Sequence, residues 1–93
     1  MTHWICRHKV EDFDRWYEVF KRDATAQTKA GIRTMYVMRD AEDPNTVVMW
    51  FEVASREAAR AFTGTPAAAE AGEEAGVVGE LESWFLEESL GDG

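Results

Sequence analysis

The sequence is poor in cysteine, histidine, proline and positive charge, and each shortage removes a class of function. Cys6 is the one cysteine in 93 residues, so no intrachain disulfide can form, and a lone thiol suits a reducing compartment. Two histidines, His3 and His8, without clustered ligand spacing, offer no metal site. Ten Lys and Arg against eighteen Asp and Glu leave a formal charge of −8, and eight of the ten basic residues fall in the first 40 positions. That balance argues against nucleic acid, which is held by a basic patch, and against anionic membrane surfaces. The simplest use of such charge is solubility. No apolar run approaches the roughly 18 residues of a membrane span. Met1 to Lys9 lacks the apolar stretch of a secretory signal. A soluble, cytoplasmic protein with neither nucleic acid nor membrane as partner is expected. There is no Gly-x-Gly-x-x-Gly, phosphate loop, His-Glu-x-x-His or nucleophile elbow, so no nucleotide, flavin or metal cofactor is expected either.

Aromatic residues, by contrast, are plentiful: four tryptophans, five phenylalanines and two tyrosines. One small core rarely uses four indoles, each of which must place an N–H somewhere polar. A chain of this length, read as one domain over residues 1–93, buries only about 60–65% of its unfolded surface. With disulfides and metals set aside, oligomerisation is the remaining source of stability.

The elements follow from local pattern. Residues 3–10 are β-compatible, with Trp4, Cys6, His8 and Val10 on one face and His3, Ile5, Arg7 and Lys9 on the other. Asp12 is a good N-cap for a helix reaching about Ala30, with Phe13, Trp16, Tyr17, Phe20, Ala24 and Gln27 on its inner face. Gly31 stands where a left-handed residue stops that helix. Residues 32–39 and 46–53 read as strands joined across Asp43-Pro44-Asn45, a β-hairpin. Ser55 caps a helix carrying Ala58, Ala59 and Phe62, and Gly64 interrupts it. Thr65, with Pro66 at the favoured first position, caps an alanine-rich helical segment ended by Gly76. Residues 80–87 are a last strand, and Gly91-Asp92-Gly93 a frayed end.

Strand, helix, strand, strand, broken helix, strand is the split βαβ order of a ferredoxin-like α+β fold. Right-handed crossovers put both helices on one face of a four-stranded antiparallel sheet. The opposite face is bare, and large apolar patches are rare on monomers. Two such faces packed together would close a dimeric α/β barrel, so a homodimer is expected.

Three stretches carry a resemblance. His8-Lys9-Val10-Glu11-Asp12-Phe13-Asp14-Arg15-Trp16, then Ala30-Gly31-Ile32-Arg33, then Arg39-Asp40 leading to Asp43-Pro44-Asn45-Thr46-Val47-Val48, resemble short proteins of the dimeric α/β-barrel superfamily. Within it the chain is similar to antibiotic-biosynthesis monooxygenases and small polyketide cyclases, over roughly residues 4–86. The resemblance implies a dimer with a hydrophobic pocket in each protomer, between sheet and helices, for a small and often aromatic molecule. It does not choose the reaction, since the superfamily hosts many. The Asn/Trp/His set of its haem-degrading branch has no match here.

Several residues could carry chemistry. His8, on a strand that would line the pocket, could be a general acid or base near neutral pH, or a histidine bonded to a neighbouring carboxylate or carbonyl. Arg33 and Glu52 come from the two arms of the hairpin. If Arg39 faces Thr46, Arg33 faces Glu52 and Trp50 faces Met35; slipped by one, Tyr36 faces Trp50 and Thr34 faces Glu52. In the first register a buried Arg33–Glu52 pair could hold an enolate; otherwise it is an exposed ion pair worth less than about 1 kcal/mol. Tyr36, Trp50 and Trp84 could wall a flat substrate, or serve as core. Trp16 reads as core, and Trp4 as pocket or interface. Cys6 reads as a small buried hydrophobe.

Two functional classes fit, with a third behind them. The first is a natural-product type enzyme acting without bound cofactor on an aromatic or polyketide-like substrate, as a cyclase or cofactor-independent monooxygenase. His8 would be its base and Arg33 its cation. The second is a non-catalytic small-ligand binder or accessory dimer. A pure interaction subunit is the third, and it would leave no pocket above roughly 300 Å³.

Overall fold

The structure, a computed structural model, describes residues 2–89; the glycine-rich end Gly91-Asp92-Gly93 lies outside them. The order is β1 (Thr2–Val10), α1 (Phe13–Arg22), α2 (Ala24–Lys29), β2 (Ile32–Arg39), β3 (Thr46–Val53), α3 (Arg56–Thr63), α4 (Pro66–Ala75) and β4 (Val77–Leu86). The four strands form one antiparallel sheet ordered β2-β3-β1-β4. This is the ferredoxin-like α+β arrangement, with the helices on one face. No helix among the described residues is long and apolar enough to cross a membrane.

Local chemistry starts and stops the helices where the sequence places caps. The Arg15 N–H donates to Asp12 Oδ2 at 3.3 Å, the Ala58 N–H to Ser55 Oγ at 3.0 Å, and the Ala68 N–H to Thr65 Oγ1 at 3.1 Å. Each satisfies one of the N–H groups a helix start leaves over. Where one helix is expected over 12–30, there are two. Asp23 ends α1 with a tight bond from its N–H to the Phe20 carbonyl, 3.2 Å, and begins α2. Aspartate is a weak helix former, and here it sits mid-pattern. The inner face also differs in part: Trp16 and Val19 are buried, whereas Tyr17 is exposed.

Gly76 closes α4 in the left-handed region, at φ 77°. Its carbonyl accepts from the Glu11 N–H at 2.8 Å, tying the helix end to the loop after β1. A Cβ there would stand 3.4 Å from the Glu11 side chain. Gly76→Ala is expected to cost about 1–2 kcal/mol, the left-handed penalty of an L-residue. An unchanged denaturant midpoint would refute this.

The hairpin resolves its register by using both alternatives. Arg33 faces Glu52, and beyond Met35 Tyr36 faces Trp50. Met35 is a β-bulge, one extra residue on β2. A second irregularity lies between β1 and β4. Pairing jumps from Arg7↔Glu82 to Lys9↔Val78, so Gly79, Glu80 and Leu81 all stand against His8. Gly79 makes the turn at φ 77°. β4 accordingly starts at Val77 rather than at residue 80.

Trp4, Cys6 and Val10 of β1 and Val47, Met49, Phe51 and Val53 of β3 face the helices and form the centre of the core. The other sheet face is uncovered. Across it Tyr36, Trp50, Ile5 and Trp84 lie side by side on four successive strands. Tyr36 is 56% and Trp84 48% exposed. Charged pairs flank this apolar row: Arg7 with Glu82 at 3.3 Å, and Arg33 with Glu52 at 4.0 Å.

Candidate functional site

Between the sheet and the helices lies a partly open cavity of about 270 Å³. β1 supplies its floor through Trp4, Cys6 and His8, and β3 through Met49 and Phe51. From α1 come Trp16, Val19 and Phe20. The cavity exists because of α4, which turns Ala68, Ala71, Gly72 and Ala75 toward it and so fills none of the space. That helix is fastened at its far side: Arg15 Nε donates to the Glu74 carbonyl at 2.7 Å, and Arg22 Nη2 meets Glu74 Oε1 at 2.6 Å.

The wall is nearly all apolar. Asp23 is the one charged residue on it, and among the described residues no Lys or Arg joins it. Two polar atoms stand out. Trp4 Nε1 and His8 Nε2 are both shut from solvent and have no hydrogen-bond partner among the described residues. Buried side-chain polar atoms are mostly satisfied, so two orphans on residues lining one cavity are unusual. The Trp4 ring is held in place, stacked on Phe85 at 5.9 Å and tilted against Phe51 at 5.3 Å. His8 sets its ring edge to Trp16 at 5.7 Å.

Burial lowers the His8 pKa below its ordinary 6.5, because the imidazolium loses water it cannot replace here. The ring is therefore neutral at pH 7 and able to accept a proton. Burial pushes the Cys6 thiol up to about 12, which keeps it protonated and inert. No group of three or more His, Cys, Asp or Glu side chains that could hold a metal ion occurs among the described residues.

Of the residues singled out from sequence, His8 lies on the cavity. Arg33, Glu52, Tyr36, Trp50 and Trp84 do not line it; they share the uncovered sheet face. Glu52 is partly covered, and the Arg33 side chain is 77% exposed. Trp50 Nε1 donates to His3 Nδ1 at 3.0 Å, and its ring lies 5.4 Å from that of Tyr36. Sequence reasoning left Trp4 between pocket and interface, and overlooked the small side chains of α4. An alanine run reads as helix propensity, and only its packing partner reveals it as missing volume. Gly79 was the available signal for the bulge at His8, since an isolated glycine in a strand pattern marks one.

Solved structures of other proteins share this fold. A candidate antibiotic biosynthesis monooxygenase from Bordetella bronchiseptica superposes with a TM-score of 0.78, covering 96% of this chain and 97% of its own, at 10% identity. SnoaB, a cofactor-independent oxygenase from Streptomyces nogalater, gives 0.72, with 97% and 96% covered, at 18% identity. The fold is that of the antibiotic biosynthesis monooxygenases. An uncharacterized NIPSNAP domain protein from Burkholderia xenovorans also shares it, at a TM-score of 0.67 and 12% identity over 98% and 97% of the two chains. The monooxygenase fold is thus common ground for differently named proteins, and the reaction must be argued from the site. No protein-family model matches the chain, and no curated protein matches it.

Proposed function

We propose that this protein is a small-molecule enzyme that works without a bound cofactor on an aromatic or polyketide-like substrate, as a monooxygenase or a cyclase. The observation that carries this reading is His8: a neutral imidazole with an unpartnered Nε2, on the wall of an apolar cavity. A carbon or phenol acid placed there would give its proton to Nε2. In this reading the substrate's own conjugated carbonyl takes the charge, in a cavity whose wall is nearly all apolar. In the monooxygenase version the carbanion adds to dioxygen, the peroxide takes back the proton from His8, and the hydroperoxide loses water to leave a carbonyl; in the cyclase version the carbanion adds to a carbonyl of the same molecule, whose oxygen takes the proton. SnoaB, named a cofactor-independent oxygenase, lends weight to the first.

We further propose that two chains pair through the uncovered sheet face, with the Tyr36–Trp50–Ile5–Trp84 row at the centre. Arg33 and Glu52 enter this reading as rim charges beside that row.

A non-catalytic binding protein is the second reading. The lack of any Lys or Arg on the cavity wall favours it, because no fixed cation awaits an anion. The test is to incubate the protein with small phenols and β-diketones while following oxygen uptake and ring closure. Protein-dependent oxygen uptake or cyclisation is expected. Binding without either would leave the second reading standing, and no binding at all would leave the interaction subunit, whose limit of roughly 300 Å³ the cavity of about 270 Å³ does not exceed.

A further inference from the structure

The cavity is apolar along its length and polar at one end. The course of α1 gives the direction: Trp16 stands 5.7 Å from His8, and Phe20 6.2 Å from Phe51. Phe51 is paired with Trp4. Asp23, just beyond Phe20, therefore borders the cavity at the Trp4 end of β1, away from His8. Gln27 follows one turn later on α2, and Thr63 joins the wall from the end of α3. Thr63 and Ala69 are exposed, so the cavity opens at this end.

Three acids among the described residues are partly buried: Asp23, Asp43 and Glu52. Asp43 accepts from the Thr46 hydroxyl at 2.8 Å, and Glu52 meets Arg33 at 4.0 Å. Asp23 has no such partner among the described residues. It stands at the cap position of α2, yet its side chain makes no cap bond. A sheltered carboxylate without a partner is costly. Its neighbours cannot relieve it. The Thr63 hydroxyl already donates to the Ala59 and Arg60 carbonyls, 3.2 Å each, and has only lone pairs left. Gln27 is 8% exposed, and its Oε1 accepts from Thr34 at 3.5 Å with a second lone pair to offer. An ammonium is the complementary group, with three donors and no acceptor. The formal charge of −8 also draws cations toward the chain. A cavity of roughly 150 Å³ takes one benzene ring, so about 270 Å³ leaves room for an apolar body of one to two rings.

We propose that the cavity binds an organic cation, a primary amine on an apolar body of one to two rings. The ammonium lies at Asp23, Gln27 and Thr63, and the body runs along the apolar wall toward His8. This step rests on the reading of the cavity as the ligand site and adds the charge of the ligand to it. The amine then orients the molecule, and the carbon that gives up its proton is at the opposite end.

The test is calorimetric titration of the intact protein with three probes of one shape: 4-phenylbutylamine, 4-phenylbutanol and 4-phenylbutyrate. At neutral pH and low salt the amine should bind about tenfold tighter than the alcohol, as a hydrogen bond to a charged group does. The butyrate should bind weakest, repelled by Asp23. Raising salt to about 0.5 M should shrink the advantage of the amine and leave the alcohol unchanged. Both comparisons use the unaltered protein, so they hold whether or not a variant folds. Asp23→Asn should bring the amine down to the affinity of the alcohol. The alcohol's own affinity should stay the same, which reports an intact cavity. Gly72→Leu should abolish binding of every probe by filling the space, since a Cβ at Gly72 would meet nothing within 4 Å. An amine that binds no tighter than the alcohol, or an advantage that survives Asp23→Asn, would overturn the assignment of a cation alone. Absence of all binding to the unaltered protein, or binding indifferent to Gly72→Leu, would instead overturn the reading of the cavity, and this inference with it.

Discussion

Replacing His8 with alanine is expected to lower turnover by about 10²–10⁴-fold, the usual contribution of a positioned general base. Ligand affinity should change by less than about threefold, because the cavity is held mainly by apolar contact. His8→Gln is the sharper variant. It keeps a polar side chain of similar reach, yet an amide cannot take up a proton near neutral pH. It should lose as much rate as the alanine variant. Dependence on pH gives an independent readout. His8 must be neutral to act, and burial depresses its pKa below 6.5. The rate should therefore rise with pH through a midpoint below 6.5 and then stay level, and that limb should vanish in His8→Gln. Stability follows the same linkage. As pH falls through 6.5 the unfolded chain takes up this proton first, so the contribution of a neutral His8 to the fold declines below that point. Steady-state rates and titration calorimetry on the same preparations separate the two classes of function. A His8→Gln protein that turns over within tenfold of the original would leave a binding protein, not an enzyme based on this histidine.

Trp84→Glu is expected to convert a dimer into folded monomers. The Tyr36–Trp50–Ile5–Trp84 row crosses all four strands, and among the described residues Tyr36 and Trp84 stay about half exposed at its ends. Two copies brought face to face would bury each row against the other. A carboxylate at residue 84 would then be buried twice, once per chain, with no cation built for it. Removing a partner from a buried ion costs about 3–5 kcal/mol, and an unpaired new charge is comparable, so the dissociation constant should rise by at least a hundredfold. The single chain should scarcely notice, because Trp84 is already half exposed in it. Sedimentation velocity at micromolar concentration, with circular dichroism as the check on folding, reads both effects. If the unaltered chain sediments as a stable monomer, the pairing proposal is wrong, and the row needs another explanation.

Both predictions depend on features that differ in how far sequence reveals them. Element order was legible because its causes are local. Asp12, Ser55 and Thr65 satisfy N–H groups three residues away, Gly31 and Gly76 adopt positive φ, and the hairpin strands carry period-two apolar residues. These determine where helices and strands begin and end with little help from distant residues. The alternation of β1 likewise assigns Trp4, Cys6 and His8 to one face before any partner strand is known.

Side-chain destination across a bulge is another matter. Arg33 and Tyr36 are three residues apart, so regular alternation would send them to opposite faces. The bulge at Met35 puts both on the uncovered face, beside Glu52 and Trp50, and away from the cavity. No local rule chose between the two hairpin registers, and the fold uses each on one side of Met35. The bulge opposite His8 and the vacant space under α4 arise in the same way, from how strands and helices meet. Sequence by itself determined the ferredoxin-like order and the face on which His8 stands, because caps, turns and alternation act within a few residues. Tertiary structure decided that Trp4 and His8 border a cavity while Arg33, Glu52, Tyr36, Trp50 and Trp84 lie behind it, because pairing register and packing set where a side chain ends up.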